Sequence, residues 1–431
     1  LARDRGGADG PVGSVSQRQQ IGECMRIGFD VTALYIARAG LRRYDTDLVR
    51  ALLRHGAHHE LLLVSYRPLH GDRVHPPSLN DVPGAHERIV HVGGIRVRRL
   101  ARWPPLQESW LWALADLVDR TILWPWTALS EVVMRRNLRQ ALEGVDVFHS
   151  SDVLQWRQPG ARNVITIHDL TALRHPEAHT PATRRLHRRK AAFARDTADL
   201  VIVISEATRR DVIAHLGLAR DRIRLIYPGV DPAFRPVADR GALKQLLASR
   251  GLAPGEYILF VGTIEPRKNL LRLVEAYRQL RRGRSHVPRL VLAGAPGWGY
   301  QPVFERVAAL GLSKSVVFLG HVPDPLLPAL YSGAIVFVYP SLYEGFGLPV
   351  LEAMACGTPV VTSDTSSLPE VAGDAGVLVD PADVEALANA LRTLLEDPDR
   401  RAALSADGRR RAATFTWDRA AQQTLAAYAG E

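Results

Sequence analysis

Two glutamates separated by seven residues, Glu344 and Glu352, are the strongest chemical signal in the chain. They lie in residues 334–356, AIVFVYPSLYEGFGLPVLEAMAC. The apolar run 334–339 reads as a buried strand that feeds a loop containing Gly345 and Gly347. A short helix is expected next, with Pro349 and Glu352 in its first turn and Gly357 as its stop. Glycines let a ligand approach the backbone, and the N–H groups at a helix start favour an anion. A carboxylate accepts hydrogen bonds from the vicinal hydroxyls of a sugar ring or ribose. Alone, Glu352 would be a helix-dipole partner and the glycines a turn. Together, at this spacing, they read as a ligand site.

Two further groups belong with it. GTIEPRKN (residues 262–269) follows the apolar run 257–261 and sets Arg267 beside Lys268. In an open α/β sheet the carboxyl ends of the strands are where ligands bind. An arginine fork next to a lysine point charge suits a diphosphate; elsewhere the pair would be a solvated surface feature. His168-Asp169 ends the run 164–167 in the first half of the chain. A histidine there can donate to a sugar hydroxyl or a developing charge, or simply be satisfied by its neighbour. Other matches carry nothing. Asp45-Thr-Asp47 has the spacing of a metal-binding pair, but Tyr44, Leu48 and Leu52 put it on a helix, where positions two apart do not face one ligand. GAPGWG (residues 294–299) lacks the dinucleotide-binding spacing.

The elements that must position these groups are short apolar runs alternating with helical patterns. In the first half, strands are expected at residues 26–31, 61–65, 89–92, 145–150, 164–168, 200–205 and 223–227. In the second half they are expected at 257–262, 289–294, 316–320, 334–339, 358–362 and 376–379. Most are continuous runs, the mark of parallel strands buried on both faces, so the fold class is α/β with two doubly wound sheets. PGVDPAFRP (residues 228–236) is a stiff connector. The expected organisation is a mobile tail over residues 1–24, a first domain over 25–232 completed by a helix at 416–431, and a second domain over 233–415. Residues 106–134 carry Trp110, Leu114, Leu117 and Trp124 at helical spacing, with Pro125 expected to kink or stop the helix.

Composition narrows the class. The chain has 431 residues, 46% hydrophobic and 23% charged, which excludes a disordered or fibrous protein. Cys24 and Cys356 are its only two cysteines, so no disulfide framework or zinc site can be built, and a reducing cytosol fits. No run of 18 apolar residues is present to span a membrane. The net charge is +10, yet only four of the 55 basic residues are lysines. Arginine spread over the whole chain is as readily coding bias as function. The basic run 184–195 and the tryptophan-rich segment 110–126 leave contact with an anionic membrane surface open. No nucleic-acid module is recognisable, and no nucleic-acid partner is expected.

Residues 343–358 and 262–270 resemble glycosyltransferase family 4, retaining transferases of the GT-B architecture, in which two Rossmann-like domains face a cleft. Weaker likeness extends through residues 165–170, 201–212 and 223–231, and the wording is nearest a mannosyltransferase-like branch acting on polysaccharide intermediates. The resemblance implies that Arg267 and Lys268 bind the donor diphosphate, Glu352 the ribose hydroxyls and Glu344 the transferred sugar. It places Gly262, Gly40 and the backbone of Phe346, Gly347 and Leu348 around sugar and phosphate, His321 and Val322 against the base, and His168 on the donor sugar. It implies a nucleotide sugar, best GDP-mannose, a glycan or lipid-linked acceptor, and no metal or cofactor. One departure stands out: the family loop has the form GIGRY, whereas this chain reads Gly40-Leu41-Arg42-Arg43-Tyr44, with Arg42 in place of a glycine. A nucleotide-sugar epimerase or a non-catalytic nucleotide- or glycan-binding scaffold would share the pattern.

Overall fold

A computed structural model of the chain describes residues 24–36, 40–67, 89–93, 124–150, 154–284 and 286–431. The expected tail, apart from Cys24, and most of the tryptophan-rich segment lie outside the described residues.

All thirteen expected strands form. The first sheet holds β1 (Arg26–Asp30), β2 (Glu60–Arg67), β3 (Ile89–Gly93), β4 (Val147–Ser150), β5 (Arg162–Ile167), β6 (Leu200–Val203) and β7 (Ile223–Leu225). The second holds β8 (Tyr257–Val261), β9 (Arg289–Ala293), β10 (Val316–Gly320), β11 (Val336–Tyr339), β12 (Val360–Ser363) and β13 (Val377–Val379). The orders are β3-β2-β1-β4-β5-β6-β7 and β10-β9-β8-β11-β12-β13. Every pairing among these strands is parallel, from β1 with β2 to β12 with β13. Both faces of each sheet are covered, which is why the strands read as unbroken apolar runs.

Each order reverses once, between β1 and β4 and between β8 and β11. At such a reversal the loops leaving adjacent strands diverge and open a crevice at their carboxyl ends. The loop after β8 carries Arg267 and Lys268, and the loop after β11 carries Glu344.

Two stretches of chain pass side by side between the sheets. The Val230 N–H donates to the Phe415 carbonyl at 3.1 Å. A Cβ on Gly229 would lie 2.1 Å from the Trp417 nitrogen, so only glycine fits. The helix Trp417–Ala429 then packs on the helix Gly40–His55 of the first sheet. Its Tyr428 hydroxyl meets His149 Nδ1 at 2.5 Å, while His149 Nε2 meets Thr166 Oγ1 at 2.8 Å. Burial pushes this imidazole down to about 3, so it stays neutral near pH 7.

Pro125 differs from expectation. It is the second residue of the helix Trp124–Ala141, which continues past it to Ala141, and a proline so placed lacks only an N–H that needs no helical acceptor; residues 106–123 lie outside the described residues.

Gly229→Ala should therefore destabilise the crossing by roughly 1–3 kcal/mol, as overpacking does. At about 2–4 °C per kcal/mol for domains of this size, thermal unfolding should show a Tm lower by several degrees, and an unchanged Tm would contradict the close approach.

Candidate active site

The loop after β8 turns through a 3-10 helix, Pro266–Lys268, and ends at Asn269 in the left-handed region (φ 59°). Asparagine tolerates that conformation. Its Nδ2 donates to the carbonyls of Pro340 (3.1 Å) and Pro381 (2.7 Å), and the Leu342 N–H donates to the Arg267 carbonyl at 2.9 Å. The asparagine amide and one backbone bond thereby stitch the two loops together. Behind them, a Cβ on Gly294 would fall 1.8 Å from the Gly262 carbonyl oxygen, so the glycines of GAPGWG serve loop packing.

Stitching brings three charges into contact. Lys268 Nζ donates to Glu344 Oε1 at 2.6 Å and to the Tyr339 hydroxyl at 2.5 Å. Arg267 Nη1 lies 2.7 Å from Glu344 Oε2, and its Nη2 donates to Glu265 at 2.7 Å. Lys268 and Glu344 are buried. Burial alone would raise the Glu344 carboxyl, but Arg267 and Lys268 outweigh it and hold the group at about 2. The loop is pinned from the segment after β12 as well: Ser366 Oγ accepts from the Glu344 N–H at 3.1 Å, and Ser367 Oγ donates to the Phe346 carbonyl at 2.7 Å.

Glu352 lies in the helix Leu348–Ala355, which starts at Gly347 (φ 113°) with Pro349 near its N-terminus. The helix begins at Leu348, so Glu352 falls in the second turn, one turn beyond the expected place, where the helix dipole does little for it. Tyr331 donates to Glu352 Oε2 at 2.8 Å. Arg43, from the helix Gly40–His55, reaches across and pairs with Oε1. Burial opposes the charge on Arg43, yet Glu352 and Asp324 together raise its pKa.

His168 follows β5 directly and stands edge-on to Tyr44, with ring centroids 4.6 Å apart. A Cβ on Gly345 would lie 2.1 Å from the His168 carbonyl oxygen. The Thr208 hydroxyl sits between the carbonyls of His168 (3.2 Å) and Gly345 (3.3 Å). His168 thus meets the Glu344 loop through its backbone. Beside it, Tyr343 donates to Asp211 at 2.5 Å, and Arg174 reaches the same carboxylate at 2.9 Å.

The remaining expected residues divide. Phe346 is buried against Tyr227 and Phe415, so only its backbone can face a ligand. His321 is exposed and Val322 buried. Gly40 is an exposed helix start with open space around it. Asp45 faces Lys190 and His168, whereas Asp47 faces Asp231 and Arg50, so the pair does not converge on one ion. Burial pushes each carboxyl up to about 7. No cluster of three or more metal-ligating side chains occurs among the described residues. Reading the sequence missed Arg43, Asp324, Tyr331 and Tyr339; only Tyr339, at the strand end preceding Glu344, had a local signal.

Comparison with known proteins places this geometry. Residues 38–234 match the family model "Glycosyltransferase Family 4", and residues 249–411 match "Glycosyl transferases group 1". The O-antigen chain mannosyltransferase B of Escherichia coli is 38% identical over 268 residues, 62% of this chain and 70% of that protein. The chain belongs to glycosyltransferase family 4. A D-inositol 3-phosphate glycosyltransferase of Nocardia farcinica is 34% identical over 75% of this chain and 77% of its own. Sucrose-phosphate synthase from Thermosynechococcus elongatus superposes with a TM-score of 0.70 at 25% identity, covering 94% of this chain and 98% of its own. The glycosyltransferase therefore has the GT-B architecture along nearly its whole described length.

Removing the charge of Glu344 leaves the buried Lys268 without its carboxylate and Arg267 with Glu265 alone, and breaking a buried pair typically costs about 3–5 kcal/mol. Glu344→Gln should lower Tm accordingly. The depressed carboxyl contributes stability that is full above the ordinary value of 4.5 and is lost as pH falls towards about 2. The variant should flatten the stability profile across that window, as followed by urea unfolding at stepped pH.

Proposed function

We propose that this glycosyltransferase moves mannose from GDP-mannose onto a glycan or lipid-linked saccharide in cell-envelope polysaccharide synthesis, with retention at the anomeric carbon. The observation that carries the reading is Glu344 held between Arg267 and Lys268 at the reversal of the second sheet. The mannosyl assignment is supported by the name of the Escherichia coli relative.

The roles follow from the chemistry. Tyr339 and Glu344 use two of the three Lys268 ammonium protons, which leaves the third for a donor phosphate oxygen. Arg267 adds a fixed cation beside it. The helix start at Gly347–Leu348 presents N–H groups to the same anion. Together they stabilise charge on the departing diphosphate, so no metal or cofactor is assigned to the step. The anomeric C–O bond to phosphate breaks, the released phosphate oxygen takes the acceptor hydroxyl proton, and the acceptor oxygen bonds to the same face of the sugar. Glu344 and His168 hold the sugar, and Glu352 holds the ribose. Closing the domains excludes water and limits donor hydrolysis.

We also assign the exposed arginines of the helix Pro181–Asp196 to a membrane surface. Arg185, Arg188 and Arg189 are exposed there, beside Leu186 at 40% exposure. No helix among the described residues is long and apolar enough to cross a membrane. Replacing these three arginines by glutamine should abolish sedimentation with anionic vesicles at low salt, and sedimentation unchanged by the replacement would remove the assignment.

For the reaction, thermal shifts with GDP, UDP, ADP and dTDP and their sugar conjugates should single out GDP, with Glu352→Ala reducing the shift. Selection of another nucleotide would overturn the GDP assignment. Lys268→Ala and Glu344→Ala should each lower kcat by about 10² or more, the scale of one lost transition-state donor. Near-normal turnover in either would overturn the assignment of roles. Sugar interconversion without an acceptor would instead mark an epimerase.

A further inference from the structure

Arg43 belongs to the first domain, yet its guanidinium is committed to the second. One nitrogen pairs with Glu352 Oε1, and the other donates to Asp324 Oδ1 at 2.7 Å. Phe234 lies under it, with the ring centroid 5.5 Å from the guanidinium carbon. With Arg43 on one oxygen and Tyr331 on the other, Glu352 is 2% exposed. A ribose diol entering the cleft therefore finds the carboxylate covered.

The two covering groups are not equivalent. Tyr331 is fully buried in the second domain, against Phe234 and Phe337, and cannot leave without opening that core. Arg43 comes from the facing domain and keeps 21% of its side-chain surface in solvent. Its second partner, Asp324, is 60% exposed, so an Arg43 displaced from Glu352 still has a carboxylate and water to turn to.

We propose that Arg43 is a gate on the nucleotide site: it occupies Glu352 while the cleft is empty, and the donor ribose must displace it. The inference rests on the reading of Glu352 as the ribose-binding carboxylate. Arg43 is thus a positioning residue, acting through Glu352 and through the approach of the domains. Its signature is specific: a competitor that occupies the site weakens apparent affinity by the fraction of molecules left competent. Loss of a donor ligand, or general loosening of the fold, would act in the opposite direction.

The test measures binding of GDP and UDP, and of their 2′,3′-dideoxy counterparts, to the full chain by titration calorimetry, with Tm as the check on folding. Wild type should prefer the ribose forms. Arg43→Gln should bind the ribose form about 3–10-fold tighter, with little change for the dideoxy form. Arg43→Lys, which keeps a cation on Glu352, should stay near wild type. Weaker or unchanged ribose-form binding by Arg43→Gln, with the wild-type preference intact, would overturn the gate alone. Equal affinity of wild type for ribose and dideoxy forms, or no binding of either nucleotide, would overturn the Glu352 reading and the gate with it.

Discussion

A carboxylate buried between two cations is the constraint around which the second domain is arranged. Lys268 and Glu344 lie 76 positions apart, and no local structure could join them. They meet because β8 and β11, distant in sequence, are neighbours in the sheet. Burying three charges is costly unless every one is satisfied. The loops accordingly have little freedom. Asn269 bridges them from one side, Ser366 and Ser367 hold the Glu344 loop from the other, and Tyr339 closes the set from the strand end. Charge that is held this rigidly need not reorganise when a negative leaving group develops, which is the condition under which electrostatics lowers a barrier most.

Much of this was legible in the chain. Continuous apolar runs such as Tyr257–Val261 and Val336–Tyr339 disclosed strands buried on both faces, and the spacing of Glu344 and Glu352 picked out two carboxylates that the fold buries. Strand ends were less legible, because a residue such as His168 or Gly262 continues the apolar pattern while its backbone already leaves the ladder. Glu352 was placed in the first turn because Pro349 reads as the first helical residue, whereas the helix begins one residue earlier, at Leu348, and carries Glu352 into the second turn.

The arginine run in the first domain shows the opposite limit. Sequence drew attention to Arg42, which replaces a glycine, but Arg43 makes the contact. Which of two adjacent helical side chains points across a cleft depends on helix rotation, and rotation is decided by the packing of Tyr44, Leu48 and Leu52. Asp324 and Tyr331 were equally silent, since their meaning depends on a partner some 280 residues away or on a carboxylate in another helix. The domains also meet on a second flank. Glu370 of the second domain accepts the N–H groups of Glu206 (2.8 Å) and Ala207 (3.0 Å). There a helix start of the first domain, a natural anion site, is filled by the protein's own carboxylate.

The helix Trp417–Ala429 carries a consequence for how the protein is made. It lays Tyr428 on His149 and Thr424 into a buried position of the first domain, after the whole second domain has been threaded. On the ribosome, where domains generally fold as units in order of synthesis, the second sheet has all its strands before the first has its covering helix. The earlier half of the chain must wait, with the apolar face of the helix Gly40–His55 open, until the later half is finished. Birth order and completion order are thereby reversed.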